Sequence, residues 1–173
     1  MDTYNMIDFN KKKGFICDMD GVIYHGNRVL PGVAEFIQWL HDEDKEYLFL
    51  TNNSGYTPRE LHQKLERLGL DVSEEHFYTS ALATAAFLRD QAPGCSVFAI
   101  GEAGLLNALY DAGITMNDVN PDYVVVGEGR SYSLDTLTKA TNLVFKGAKL
   151  IGANSDVSGP IENGIAPIEM ATG

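Results

Sequence analysis

An apolar run that halts at a carboxylate constrains this chain more than any other stretch: Gly14-Phe15-Ile16-Cys17-Asp18-Met19-Asp20-Gly21-Val22-Ile23-Tyr24. Such a run reads as a buried strand of a parallel sheet, delivering Asp18 to the rim where open α/β folds bind ligands. Asp20 follows on the same side. Two carboxylates that close repel and raise each other's proton affinity, so the pair is costly unless a cation lies between them. The residues alone admit solvated turn aspartates or a metal-assisted site, and the spacing favours the second.

Beyond this stretch, short apolar runs alternate with helical patterning. Gly26-Asn27 between two β-prone pairs predicts a hairpin flap over the site, carrying an exposed His25. Pro31-Gly32 opens a helix with Val33, Phe36, Ile37 and Leu40 on one stripe and Trp39 beside it, and Asp42-Glu43-Asp44 ends it on a solvated turn. Tyr47 to Leu50 is the next strand and delivers Thr51. Asn52, Asn53, Ser54 and Gly55 follow, then Thr57-Pro58-Arg59-Glu60, which caps a helix through Leu61, Leu65 and Leu68. A hydroxyl and backbone N–H groups ahead of a helix suit a phosphate, or they merely cap the loop; the neighbouring aspartates favour phosphate. Near Phe77 to Ser80 a second α/β unit begins, with helices over 81–91, 103–112 and 134–146 and strands over 96–100, 123–126 and 149–152. Its loops hold Arg130, Asn154 and Asp156, which read either as turn residues or as contacts to a leaving group. The tail 159–173, with Pro160, Gly164 and Pro167, reads as irregular.

The run Asp18-Met19-Asp20-Gly21-Val22-Ile23-Tyr24 resembles the first motif of the haloacid dehalogenase (HAD) superfamily of phosphatases, and Thr51-Asn52-Asn53-Ser54 resembles its second. With Pro31-Gly32-Val33 the pattern is similar to the NagD-like subgroup of nucleotide and sugar phosphatases. The resemblance implies an α/β fold: residues 1–79 as the N-terminal part of a Rossmann-like parallel-sheet HAD core, and residues 80–173 as an inserted α/β cap domain that closes over the site. It also implies a third-motif lysine and an acidic fourth motif beyond Gly173, so that the sequence corresponds to the first part of a longer enzyme. Asp156 and Lys149 fall in the second unit, and their spacing does not bring them to the core site.

The activity implied is Mg2+-dependent hydrolysis of small phosphomonoesters, such as nucleoside monophosphates or sugar phosphates, through an aspartyl-phosphate. Asp18 is the expected nucleophile and a metal ligand; Asp20 is the acid and base, binding the metal through its backbone carbonyl; Thr51, Asn52 and Asn53 hold the phosphate. The competing class is a phosphoacceptor or phosphate-binding module without turnover. An acidic pair flanking one residue and running into a hairpin favours the enzyme.

A net charge of −11 argues against nucleic acid as partner, since Lys11-Lys12-Lys13 is the only basic run and reads as a solvated lead-in. No apolar run approaches the roughly 20 residues of a membrane span. The start lacks signal-peptide character, so the expected location is cytoplasmic. Cys17 and Cys95 show neither metal-ligand nor redox spacing. An incomplete doubly wound sheet exposes an apolar edge, which predicts association as a homo-oligomer or with a C-terminal segment.

Overall fold

The computed structural model describes residues 8–129, 132–161 and 164–167, and among them the chain forms two parallel sheets flanked by helices, an α/β fold. In the first, β1 (Gly14–Asp18) leads to a hairpin of β2 (Tyr24–His25) and β3 (Arg28–Val29), turning through Gly26 at φ 60°, a left-handed conformation that glycine adopts without strain. Helix α1 (Val33–Asp42) then buries Val33, Ile37 and Leu40, with Phe36 and the half-buried Trp39 at the margin. Strand β4 (Glu46–Thr51) and helix α2 (Pro58–Arg67) follow, and β5 (Phe77–Thr79) completes the sheet in the order β1-β4-β5. The register sets Asp18 beside Leu50 and Thr51 beside Thr79, so all three strands end at one rim.

Strand β1 departs from expectation. Phe15 and Cys17 are half-buried, but Ile16 is 72% exposed, because it points from the sheet face on which Leu50 and Tyr78 are also exposed, away from the core that Phe49 and Phe77 share with α1 and α2. Strand β5 is also new: three residues, with Phe77 and Thr79 buried and Tyr78 facing out, are too short for an alternating pattern to stand out.

In the second sheet, α3 (Ser80–Gln91), β6 (Ser96–Ile100), α4 (Ala103–Asp111), β7 (Thr115–Met116), β8 (Tyr123–Val126), α5 (Leu134–Phe145) and β9 (Lys149–Gly152) assemble in the strand order β7-β6-β8-β9, all parallel. Helices α3 and α4 cover one face with Ala81, Leu88, Leu105 and Leu109, against Val97 and Val125. Helix α5 covers the other with Ala140 and Leu143, against Val124 and Val126. Burial on both faces is why β8 is uninterruptedly apolar. The described residues of the tail are not irregular: β10 (Ser158–Ile161) and β11 (Gly164–Pro167) pair antiparallel, with Ser158 opposite Pro167. A two-stranded ribbon has two outer edges, where a proline's missing N–H removes no ladder bond. No helix among the described residues is long and apolar enough to cross a membrane.

Candidate active site where the ends of two sheets meet

Asp18 closes β1 with an exposed side chain, and Asp20 follows across the buried Met19. The chain then turns through Gly21, whose N–H donates to the Tyr24 carbonyl at 2.8 Å, so the flap folds back beside Asp20. Thr51, only 6% exposed at the end of β4, donates its hydroxyl to Asp20 Oδ2 at 3.4 Å. The same hydroxyl accepts the Asn53 N–H at 3.1 Å, which aims its own hydrogen at the carboxylate. Burial raises the proton affinity of Asp20; the Lys64 charge opposes this, the Asp18 charge reinforces it, and Thr51 and Tyr24 favour the ionised form.

The loop after β4 is more occupied than the sequence suggests. Asn53 Oδ1 accepts the N–H groups of Gly55 and Tyr56 at 2.9 and 3.1 Å, and its amide donates to Glu128. Thr57 and Glu60 form a reciprocal capping box, with the Thr57 N–H on Glu60 Oε2 at 2.8 Å and the Glu60 N–H on Thr57 Oγ1 at 3.2 Å. The Asn53 side chain and the amides of residues 53 and 55–57 are therefore committed to the loop. The Asn53 side chain thus holds the loop in shape through Gly55, Tyr56 and Glu128.

The strand ends of the second sheet arrive at this loop in order. After β9, Asp156 accepts the Asn52 amide at 2.9 Å, its own N–H held by Asn154 Oδ1 at 3.0 Å. After β8, the Glu128 N–H donates to the Oγ of the fully buried Ser54 at 2.6 Å. At the start of α4, the Gly104 N–H donates to the Gly55 carbonyl at 2.9 Å. Asp156 is thus brought to the core loop after all, while also serving the turn chemistry that its neighbours suggest. Lys149 stays at the opposite end of its strand, 5.6 Å from the Tyr123 ring centroid, and His25 is exposed on the flap. Arg130 lies outside the described residues.

Tyr24 and Lys64 were not among the expected site residues. Tyr24 is 3% exposed, and burial raises its proton affinity, helped by the charge of Asp20. The Lys64 ammonium sits 3.7 Å from the Tyr24 ring centroid; burial lowers its proton affinity, and Asp20 partly restores it. The available signal was a lysine within the apolar stripe Leu61, Leu65, Leu68 of α2, a position that calls for a partner. Cys17, with its thiol's proton affinity raised by burial, has the character of an inert structural cysteine.

As a donor set, Asp18 and Asp20 offer hard carboxylate oxygens at one rim, with the Asp18 charge disfavouring that on Asp20. Among the described residues no group of three or more His, Cys, Asp or Glu side chains gathers round a point. One or two carboxylates fit Mg2+, which keeps several waters and shares substrate phosphate oxygens, better than a cation needing an all-protein cage.

A family model described as haloacid dehalogenase-like hydrolase matches residues 15–115. A dihydroxyacetone phosphatase of Corynebacterium glutamicum (strain R) is 45% identical over 153 residues, 88% of this chain and 56% of the relative. The ribonucleotide monophosphatase NagD of Escherichia coli (strain K12) is 45% identical over 147 residues, 85% of this chain and 58% of the relative. The solved structure of NagD from E. coli K-12 superposes with a TM-score of 0.84 at 42% identity, covering 93% of this chain and 63% of that one. The chain therefore spans a little over half the length of the curated relatives it matches. The matched segment holds Asp18, Asp20 and the loop after β4, and on this ground the chain belongs to the haloacid dehalogenase-like hydrolase family.

Proposed function

We propose that this chain carries the phosphoryl-transfer rim of a Mg2+-dependent phosphomonoesterase acting on small phosphorylated metabolites, such as nucleoside monophosphates or sugar phosphates. The observation that carries the reading is that Asp18 and Asp20 leave one strand end together while Thr51, from the next strand, donates to Asp20. The printed names of the relatives, a ribonucleotide monophosphatase and a phosphatase named for a three-carbon sugar, support the substrate class.

In this reading the Asp18 carboxylate attacks phosphorus while the bond from phosphorus to the ester oxygen breaks, and Asp20 gives the leaving oxygen its proton. Asp20 then takes a proton from the water that attacks the Asp18 phosphoryl group, releasing inorganic phosphate and restoring both carboxyls. The Thr51 hydroxyl and the Asn52 backbone hold the transferring group, and Asn53 keeps the loop in shape. The Asp18 side chain and the Asp20 carbonyl would hold Mg2+, which when bound neutralises phosphoryl oxygens. Residues 80–173 act as a cap, a role supported by the seating of Glu128 and Asp156 on residues 52–54. A cytoplasmic location belongs to the same proposal.

Phosphate release from a panel of nucleoside monophosphates and sugar phosphates, with and without Mg2+, tests the reading in this chain and in one extended to the length of its relatives. Turnover is expected only with the cation. Asp18→Asn is expected to lower it on the order of 1,000-fold or more without unfolding the protein. Asp20→Asn is expected to slow both formation and breakdown of the phosphorylated form by about 100-fold or more. A phosphoryl group kept on Asp18 without turnover would instead make the protein a phosphoacceptor module.

A further inference from the structure

We propose that Lys64 is a positioning residue for this site: its ammonium, set between the Tyr24 and Tyr56 rings, ties the β2–β3 flap to the loop after β4 and so fixes the orientation of the Asp20 carboxylate. The inference rests on the phosphatase reading and adds a residue to it.

Lys64 stands on α2 beside the fully buried Leu61 and Leu65 and is itself half-buried, where a cation is costly unless its charge is met. It is met by loops rather than by the helix. The Tyr24 ring centroid lies 3.7 Å from Nζ and that of Tyr56 5.8 Å away, both inside the range over which an aromatic face attracts a cation. Tyr24 belongs to the flap and Tyr56 to the loop after β4, whose N–H is bonded to Asn53. One ammonium thus spans the two segments that bring Asp20 and Thr51 together.

Asp20 needs that help. A hydroxyl contact of 3.4 Å from Thr51 is long for an O–H donor and leaves the carboxylate free to swing. The second restraint is Tyr24, bridged backbone to backbone with Asp20 and bonded through its carbonyl to the Gly21 N–H at 2.8 Å; its side chain also favours the charged carboxyl, and its ring faces Lys64. Lys64 itself touches no reacting atom. It acts through Tyr24, as a preorganising support whose loss misplaces a group that must be aligned before the reaction.

Lys64→Met, Lys64→Arg and Tyr24→Phe, compared with the parent by crystal structure and by 4-nitrophenyl phosphate kinetics with Mg2+, test the proposal. Methionine keeps the volume without the charge, arginine keeps the charge, and phenylalanine keeps the ring without the hydroxyl. In Lys64→Met and Tyr24→Phe the Asp20 carboxylate is expected to swing from Thr51 or take several orientations, with kcat down about 10- to 100-fold and KM within twofold. Lys64→Arg is expected to restore both. Asp20 unmoved in the first two variants, an unchanged kcat in Lys64→Met, or failure of arginine to rescue would overturn the role. Should Lys64→Met not fold, Tyr24→Phe decides by the same criteria. A parent extended to the length of its relatives and without phosphatase activity would defeat the phosphatase reading alone, because the orientation of Asp20 in the variant crystals still decides whether Lys64 positions it.

Discussion

At Gly104 a single hydrogen separates a close fit from a collision. A Cβ there would come within 2.5 Å of the Ser54 carbonyl oxygen and 2.6 Å of that of Tyr56, both backbone atoms that cannot swing aside. Gly104→Ala is therefore expected to destabilise the protein by about 1–3 kcal/mol, read as a lower midpoint in urea denaturation. Side chains at this scale were unevenly legible in the sequence. Asp18, Asp20 and Thr51 announce themselves because each ends an apolar run, and strand ends of a parallel sheet share a rim. Asn53 is ambiguous, because the type of residue that binds phosphate in a loop is also the type that caps one, and here the side chain bonds Gly55, Tyr56 and Glu128. Lys64 hides for the opposite reason: in one dimension it is one more charge on an amphipathic helix, and only the folded flap supplies the ring that it faces.

Strand β4 carries the clearest consequence at the scale of an element. Its first buried residue, Tyr47, is stacked on His76 with ring centroids 3.8 Å apart, and its hydroxyl meets His41 Nε2 at 3.0 Å. Burial, reinforced by the charges of Asp71 and Glu75, pushes its phenol up to about 12. In the unfolded chain a tyrosine titrates near 10, so the folded state holds this proton more tightly. The stabilisation is whole below pH of about 10 and is lost as pH rises towards about 12. Tyr47→Phe is expected to flatten that part of the profile, measured by urea unfolding at intervals across the same window. Helices and long strands were readable because their periodicity runs over many residues and their caps are local chemistry, as in the Thr57–Glu60 box. Strands β5 and β7 were not, since two or three residues with no turn signal between them and a partner complete no pattern, and in β10 and β11 the prolines and glycines that mark irregular chain mask the pairing.

The whole molecule is acidic, with a net charge of −11, yet one face of its first sheet exposes Ile16, Leu50 and Tyr78. Ile16 stands 72% exposed on β1, whose outer edge carries no paired strand among the described residues. Open strand edges of this kind recruit further strands. The isolated chain is expected to associate with rising concentration in light scattering, and Ile16→Lys to shift it towards monomer. That exposure and the meeting of the two units were foreseeable only from the family pattern; the individual contacts that join them were not, because they span up to 104 residues of sequence. Those contacts touch one short run of residues in succession: the loop after β9 at the Asn52 side chain, the loop after β8 at the Asn53 and Ser54 side chains, and α4 at the Gly55 carbonyl. Any rotation between the halves therefore strains residues 52–55, while Thr51, next in sequence, keeps its own bonds to Asp20 and the Asn53 N–H inside the first half. Where the two halves grip each other and where the carboxylate is steered are thus neighbours in sequence but separate in bonding.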